Sequence, residues 1–243
     1  MTSQVKKRVL VTGGARRLGA AISEALHSAG WEVLIHYFHA ETGARVLQQE
    51  LGEDAYLLQA DLTKEAEVKQ LLEEAGQLDA IIHNASLFER DGLKKFDWQK
   101  AEQHMRLHSF CAVECASHLR RQHRHPSCLI LLGDGLKQKS NSPAFLSYAL
   151  SCRTMEALPE LLGEAMAPYS RLYHLGLGVT LPQEGEDKEM LARVTSSTAY
   201  AKPTPPEEVT TLILRLLETQ TLPSCSINMA EGGHTDLPII SEK

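Results

Sequence analysis

What this sequence lacks narrows its function first. It has no basic excess: 25 Lys and Arg stand against 31 Asp and Glu, a formal net charge of −6. A general polyanion binder carries a surplus of cations, so this balance argues against one. No apolar run approaches the ~18 residues of a membrane-spanning helix. The polar start gives way only to Val9-Leu10-Val11, far short of the apolar region of a secretion signal. A disulfide framework is missing too, because the five cysteines (Cys111, Cys115, Cys128, Cys152 and Cys225) are an odd number in a chain of ordinary size. These absences lead to the expectation of a cytoplasmic protein whose partners include neither nucleic acid nor membrane. No internal repeat or low-complexity tract is visible.

What is present is an ordinary globular composition, 43% hydrophobic and 23% charged over 243 residues, which is enough to bury a core. The length suits one domain over 1–243. Short apolar runs at Arg8–Thr12, Glu32–Tyr37, Ala55–Gln59, Ala80–His83, Cys128–Leu132, Leu172–Leu175 and Ser226–Met229 read as strands. They alternate with helix-period segments such as Leu18–Ser28, Lys64–Glu74 and Tyr148–Ala167. That order predicts an α/β fold of the Rossmann type, a doubly wound parallel sheet of seven strands with helices on both faces. The stretch of about 179–206, which holds Pro182–Lys188 and three further prolines, reads as a long excursion that covers substrate.

Directly after the first strand comes Thr12-Gly13-Gly14-Ala15-Arg16-Arg17-Leu18-Gly19, followed by a helix. Glycines at such a turn let the backbone approach a pyrophosphate, and the helix N-terminus supplies aligned N–H donors. Gly13, Arg16, Arg17, Leu18 and Gly19 are therefore expected to hold cofactor phosphates. An NAD site would place a carboxylate at the end of the second strand. There the sequence reads His36-Tyr37-Phe38-His39-Ala40, and with Arg16 and Arg17 nearby the charge balance predicts a 2′-phosphate and so NADP(H). Glu41, just beyond, would reverse that preference if it turned inward.

These residues resemble the short-chain dehydrogenase/reductase family along essentially the whole chain. The loop is similar to the family's Thr-Gly-x-x-x-Gly-x-Gly with Arg17 in place of the middle glycine, a variant of the pteridine reductase and dihydromonapterin reductase branch. Asp61-Leu62 is similar to the family's adenine-contacting pair. His83-Asn84-Ala85-Ser86 resembles its Asn-Asn-Ala-Gly motif, in the Ala-Ser form of pteridine reductases, and Gly232-Gly233 resembles its closing glycine pair. The resemblance implies that Asn84, Ala85 and Ser86 join Asp61, Leu62, His36, Tyr37 and His39 around the cofactor. It also implies that Arg17 and Phe88 bind a pterin ring, that Tyr148 and Asp134 handle protons, and that the chain forms a homotetramer or homodimer. Within the long helices, Phe110–Leu119 is the segment expected to form that interface.

One departure is plain. The family places a lysine four residues after the tyrosine, where its charge lowers the phenol pKa, and here that residue is Cys152. Cys152 reads either as an inert buried thiol or as a reactive one. His108 stands where the wider family has a relay asparagine, and reads either as a relay or as polar packing. Cys111 and Cys115 with His108 and His118 have ligand-like spacing, yet apolar neighbours favour packing, so no metal is expected. The expected function is NADPH-dependent hydride transfer to a dihydropterin or related heteroaromatic. The alternatives are reduction of another carbonyl substrate, or cofactor binding with weak catalysis.

Overall fold

Strands β1 (Arg8–Thr12), β2 (Glu32–Tyr37), β3 (Ala55–Gln59), β4 (Ala80–His83), β5 (Ser127–Asp134), β6 (Ser170–Leu177) and β7 (Cys225–Asn228) pair in parallel in the order β3-β2-β1-β4-β5-β6-β7. This is a computed structural model, and it describes residues 6–122, 126–135, 145–181 and 202–229. The order doubles back between β1 and β4, and the crevice at the carboxyl ends of those two strands is where a doubly wound sheet takes its ligand.

Helices α1 (Arg17–Ser28), α2 (Glu41–Leu51), α3 (Glu65–Ala75), α4 (Trp98–His104), α5 (Cys111–Gln122), α6 (Leu146–Met166) and α7 (Pro206–Glu218) cover the sheet. Successive strand residues point to opposite faces, so each central strand feeds two cores. Val9 and Val11 pack with Ile22 and Leu26 of α1 and Val209 and Ile213 of α7. Leu10 between them packs with Leu71 of α3, Leu119 of α5 and Leu158 of α6. Both faces are closed, as all-apolar strands require. Among the described residues no helix is long and apolar enough to cross a membrane.

The first four strands coincide with the apolar runs residue for residue. β5 and β6 run longer, because Gly133-Asp134 and Ser170-Arg171 break the apolar pattern while keeping the ladder. β7 begins one residue earlier than its apolar run suggests. Cys111 and Cys115 of α5 are buried in the core, so the cysteine-bearing face of Phe110–Leu119 is a core face and only Phe110 and Val113 among its large apolar side chains are exposed. Among the described residues no group of three or more His, Cys, Asp or Glu is placed to hold a metal. Gly232-Gly233 and most of the 179–206 excursion lie outside the described residues.

Between α4 and α5 the helix widens into a π-turn, Met105–Phe110. Such turns re-aim side chains and are frequent at functional sites. This one carries His108 inward.

Candidate active site

The loop after β1 is held by side chains that carry no chemistry of their own. Thr12 Oγ1 accepts from the amides of Asn84 and Ala85, both at 3.0 Å, so its own hydrogen goes to His83 Nδ1, also at 3.0 Å. His83 is thereby left with Nε2–H, which donates to the Leu107 carbonyl at 3.0 Å. Asn84 Nδ2 donates to the carbonyls of Thr12 and Gly13 at 3.1 Å and ties the end of β4 to the turn. Gly13 (φ +61°) is left-handed, a conformation that glycine adopts without steric cost. Arg17 is also left-handed at φ +54°, which explains why the related motif has glycine there. An arginine held in that region costs of order 1–3 kcal/mol and points to a task for the side chain. Its Nη2 donates across to the Leu181 carbonyl at 3.4 Å, where the excursion begins.

The N-cap of α1, Arg16, makes no side-chain cap bond, which leaves the first-turn amides free for an anion. A cleft of about 500 Å³ opens over this turn, and all thirteen expected cofactor residues line it: Gly13, Arg16, Arg17, Leu18, Gly19, His36, Tyr37, His39, Asp61, Leu62, Asn84, Ala85 and Ser86. The backbone itself fits a pyrophosphate. A methyl group on Gly19 would collide with the Gly13 carbonyl and come within 2.7 Å of Asn84 Nδ2, so the glycine keeps the helix start close to the turn.

His36 corrects the sequence reading. It is buried, Gly13 N–H donates to its Nδ1 at 3.0 Å, and its Nε2 therefore donates to the Ala60 carbonyl at 3.0 Å. Burial lowers its pKa to about 4, only partly opposed by the Ala60 bond. The ring braces the loop as a neutral group and brings no charge to a 2′-phosphate, which leaves Arg16, Arg17 and His39 as the basic side chains of the cleft. Glu41 pairs with Arg45 at 2.7 Å and is not among the residues that line the cleft. Asp61 accepts from Thr63 N at 3.0 Å and Thr63 Oγ1 at 2.7 Å. Burial pushes its pKa up, but these bonds and Lys64 outweigh it, and the net shift is downward.

Burial also lowers the pKa of His83 to about 4 and that of His108 to about 3. Between pH 6.5 and about 4 the unfolded chain takes up protons that the folded His36, His83 and His108 refuse, so stability is lost as pH falls through that window. Each contributes on the order of 3 kcal/mol once the window is crossed. The melting temperature is expected to fall steeply between pH 6.5 and 4, and a flat profile there in calorimetry would contradict these buried neutral rings.

Tyr148, Asp134 and Phe88 form a second group. Tyr148 Oη donates to Asp134 Oδ2 at 3.4 Å. Phe88 stands edge-on to the Tyr148 ring at 4.8 Å and stacks on Phe145 at 4.2 Å, with its own ring 40% exposed. The start of α6 is fixed by Asp91, which accepts from Ser147 N at 2.9 Å and from the Ser147 hydroxyl. Cys152 lies one turn beyond Tyr148 and is buried. Burial and the neighbouring Cys152 and Asp134 raise the Tyr148 pKa well above its ordinary value, the opposite of what a lysine would do. Burial pushes Cys152 itself up to about 12, which fits the inert reading. Arg153, the next residue, pairs with Glu156 at 3.2 Å.

The two groups meet through His108. Its Nε2 lies 3.1 Å from Ser86 Oγ on the cleft side, and its Nδ1 lies 2.7 Å from Ser151 Oγ beside Tyr148. Ser151 in turn donates to the Tyr148 main-chain carbonyl at 2.8 Å, not to the phenol, so His108 ties the cleft to α6 through hydrogen bonds. Ser151, Phe145 and Asp91 were not among the candidates, and no local motif marks them, because each acts through a contact distant in sequence; Thr12 opens the glycine motif, yet its bracing contacts to residues 83–85 are equally distant in sequence.

Residues 7–179 match the family model described as short chain dehydrogenase. Two solved structures share the fold over almost the whole chain. The FolM alternative dihydrofolate reductase 1 of Brucella suis, in complex with NADP, is 28% identical with a TM-score of 0.85, covering 94% of this chain and 95% of that one. The Brucella canis protein of the same name, also complexed with NADP, is 28% identical with a TM-score of 0.86, covering 97% of each chain. Among curated relatives, a short-chain dehydrogenase/reductase of Pestalotiopsis microspora is 28% identical over 167 residues, 64% of this chain and 62% of that protein. The acetoacetyl-CoA reductase of Paracoccus denitrificans is 40% identical over 83 residues, 33% of this chain and 34% of that protein. The chain thus spans less than two thirds of these curated relatives, but the family model covers most of it. With the parallel sheet, the glycine turn and the paired Tyr148 and Asp134 already in place, the chain belongs to the short-chain dehydrogenase family.

Proposed function

We propose that this protein is an NADPH-dependent reductase of the pteridine reductase type, acting on a dihydropterin or a related heteroaromatic. The observation that carries the reading is the arrangement of Tyr148, Asp134 and Phe88, a proton donor and a carboxylate beside an aromatic ring. The likeness to two proteins named dihydrofolate reductase, whose substrate contains a pterin ring, supports it.

The cleft binds NADP(H). Gly13, Gly19 and the uncapped start of α1 hold the pyrophosphate, Arg16 and His39 answer a 2′-phosphate, and Asp61 and Leu62 flank the adenine. The nicotinamide supplies hydride to the carbon of a C=N bond. Tyr148 Oη gives its proton to the nitrogen of that bond, and the phenolate recovers a proton from solvent by way of the Asp134 carboxyl. Phe88 packs against the flat substrate, a contact of about 0.5–1.5 kcal/mol beyond burial. Arg17 reaches from the phosphate turn towards the substrate and holds the start of the excursion at Leu181. The exposed Phe110 at the end of the π-turn and Val113 of α5, with Leu150 and Leu161 of α6, offer the apolar surface for a homodimer or homotetramer.

The test is steady-state NADPH oxidation with dihydrobiopterin by the native protein and by Tyr148→Phe. The variant is expected to lose 10²–10⁴-fold in kcat with NADPH affinity unchanged. Equal rates would show that another group is the acid. A second reading, a cofactor-binding protein of weak activity, is favoured by the raised Tyr148 pKa. Tight NADPH binding without turnover would select it.

A further inference from the structure

The imidazole of His108 is fixed in one tautomer by a group that can only donate. The backbone N–H of Leu87 points at Nε2 at 3.2 Å, so Nε2 carries no hydrogen and Nδ1 does. The Nδ1–H accordingly donates to Ser151 Oγ at 2.7 Å, and Ser151 passes its own hydrogen to the Tyr148 carbonyl at 2.8 Å. Every bond in this chain runs in one direction, and His108 is buried where solvent does not re-sort it.

The consequence falls on Ser86. Its Oγ lies 3.1 Å from the same Nε2, an atom that can only accept, so at that distance the serine hydrogen points to Nε2 and shares that atom's single lone pair with the Leu87 N–H. The other partner within reach, the Leu87 carbonyl at 3.4 Å, is also an acceptor on the protein side. Ser86 therefore spends its single hydrogen inward. Towards the cleft, which it lines and where it is exposed, its hydroxyl offers lone pairs alone.

We propose that His108 is a specificity-determining positioning residue: by holding Ser86 as a hydrogen-bond acceptor, it selects a ligand edge that carries N–H donors over one that carries carbonyl oxygens. The inference rests on the heteroaromatic-substrate reading and goes further, since it states which polarity of ring edge the serine accepts and which residue sets it. A carbonyl aimed at Ser86 would face a lone pair and leave both acceptors without a partner, a mismatch that recognition sites reject strongly.

The test uses the complete protein saturated with NADPH. First, the ring nitrogens of His108 are assigned by nitrogen-15 NMR, with His108→Asn and His108→Leu identifying the signals. The neutral Nδ1–H form is expected between pH 6 and 8, and the Nε2 resonance is expected to move in Ser86→Ala. An Nε2–H tautomer overturns the proposal whatever the substrate. Second, dissociation constants are compared for 2,4-diaminopteridine and its 2,4-dioxo counterpart. The native protein is expected to favour the diamino ring at least tenfold, and His108→Leu, which leaves the serine hydrogen only the longer contact to the Leu87 carbonyl at 3.4 Å and so lets it turn to the cleft, is expected to bring that ratio within threefold of unity. A structural disturbance alone would weaken both ligands together and keep the ratio. An unchanged ratio in His108→Leu, or no preference in the native protein, overturns the proposal. If neither ring binds, the heteroaromatic reading itself fails and the inference falls with it, a result distinguished from the others because the tautomer is read independently.

Discussion

Replacing Gly19 by alanine is expected to weaken NADPH binding by at least 10²-fold while leaving the sheet intact. The added methyl group would run into the Gly13 carbonyl and crowd Asn84 Nδ2 at 2.7 Å. Neither neighbour can yield cheaply. Gly13 is held through its amide by His36, and Asn84 is held by Thr12 and Gly13. The turn would have to open, and the amides at the start of α1 would lose their common direction towards a phosphate. Fluorescence titration with NADPH reads the loss, and a melting curve near that of the native protein separates it from global unfolding. Native affinity in Gly19→Ala would show that the pyrophosphate lies elsewhere.

Introducing the missing cation should act on turnover, and in the favourable direction. Cys152→Lys is expected to raise turnover at neutral pH about tenfold, because a cation within a few Å of a phenol lowers its pKa by one to three units. Tyr148 has room for that change. Burial, Cys152 and Asp134 now hold its pKa well above the ordinary value, so it releases its proton reluctantly. Asp134, 3.4 Å from the phenol, also offers the new ammonium group a partner, which limits the cost of burying it. The pH at which kcat changes should fall in the variant. If turnover and pH profile stay unchanged while NADPH affinity is preserved, proton release from Tyr148 does not limit the reaction and the missing lysine is dispensable.

The residues differ in how far their place was legible in the sequence, and the difference has a physical cause. β1, β2 and β4 are apolar runs bounded by glycine, aspartate or polar turns, and burial on both faces leaves no periodicity to misread, while the edge strand β3, with Tyr56 exposed, is still a short run of large side chains between turns. The cofactor cleft was legible for the same reason, since its parts are short segments at the ends of consecutive strands and the sheet order brings them together. His36 was not, because a histidine beside two arginines reads as charge, whereas its burial and two main-chain bonds decide that it is neutral. Nor was the connection from Ser86 through His108 to Ser151. It joins residues 22 and 43 positions apart, and it depends on the widening of one helix turn that no local pattern announces. The cysteine-rich face of α5 shows a further limit: an apolar stripe is the same in sequence whether it meets a core or a partner, and here Cys111 and Cys115 meet the core.

Hydride transfer in this cleft to a pterin, with Tyr148 as the acid, is open to a single-turnover experiment. Protein preloaded with a stoichiometric amount of NADPH is mixed with dihydrobiopterin, and the reduced-nicotinamide absorbance is followed together with the pterin product. The NADPH signal is expected to decay in step with formation of one equivalent of tetrahydropterin, and this decay is expected to be lost in Tyr148→Phe. A signal that persists on saturated native protein, with NADPH bound and the pterin unreduced, would contradict it.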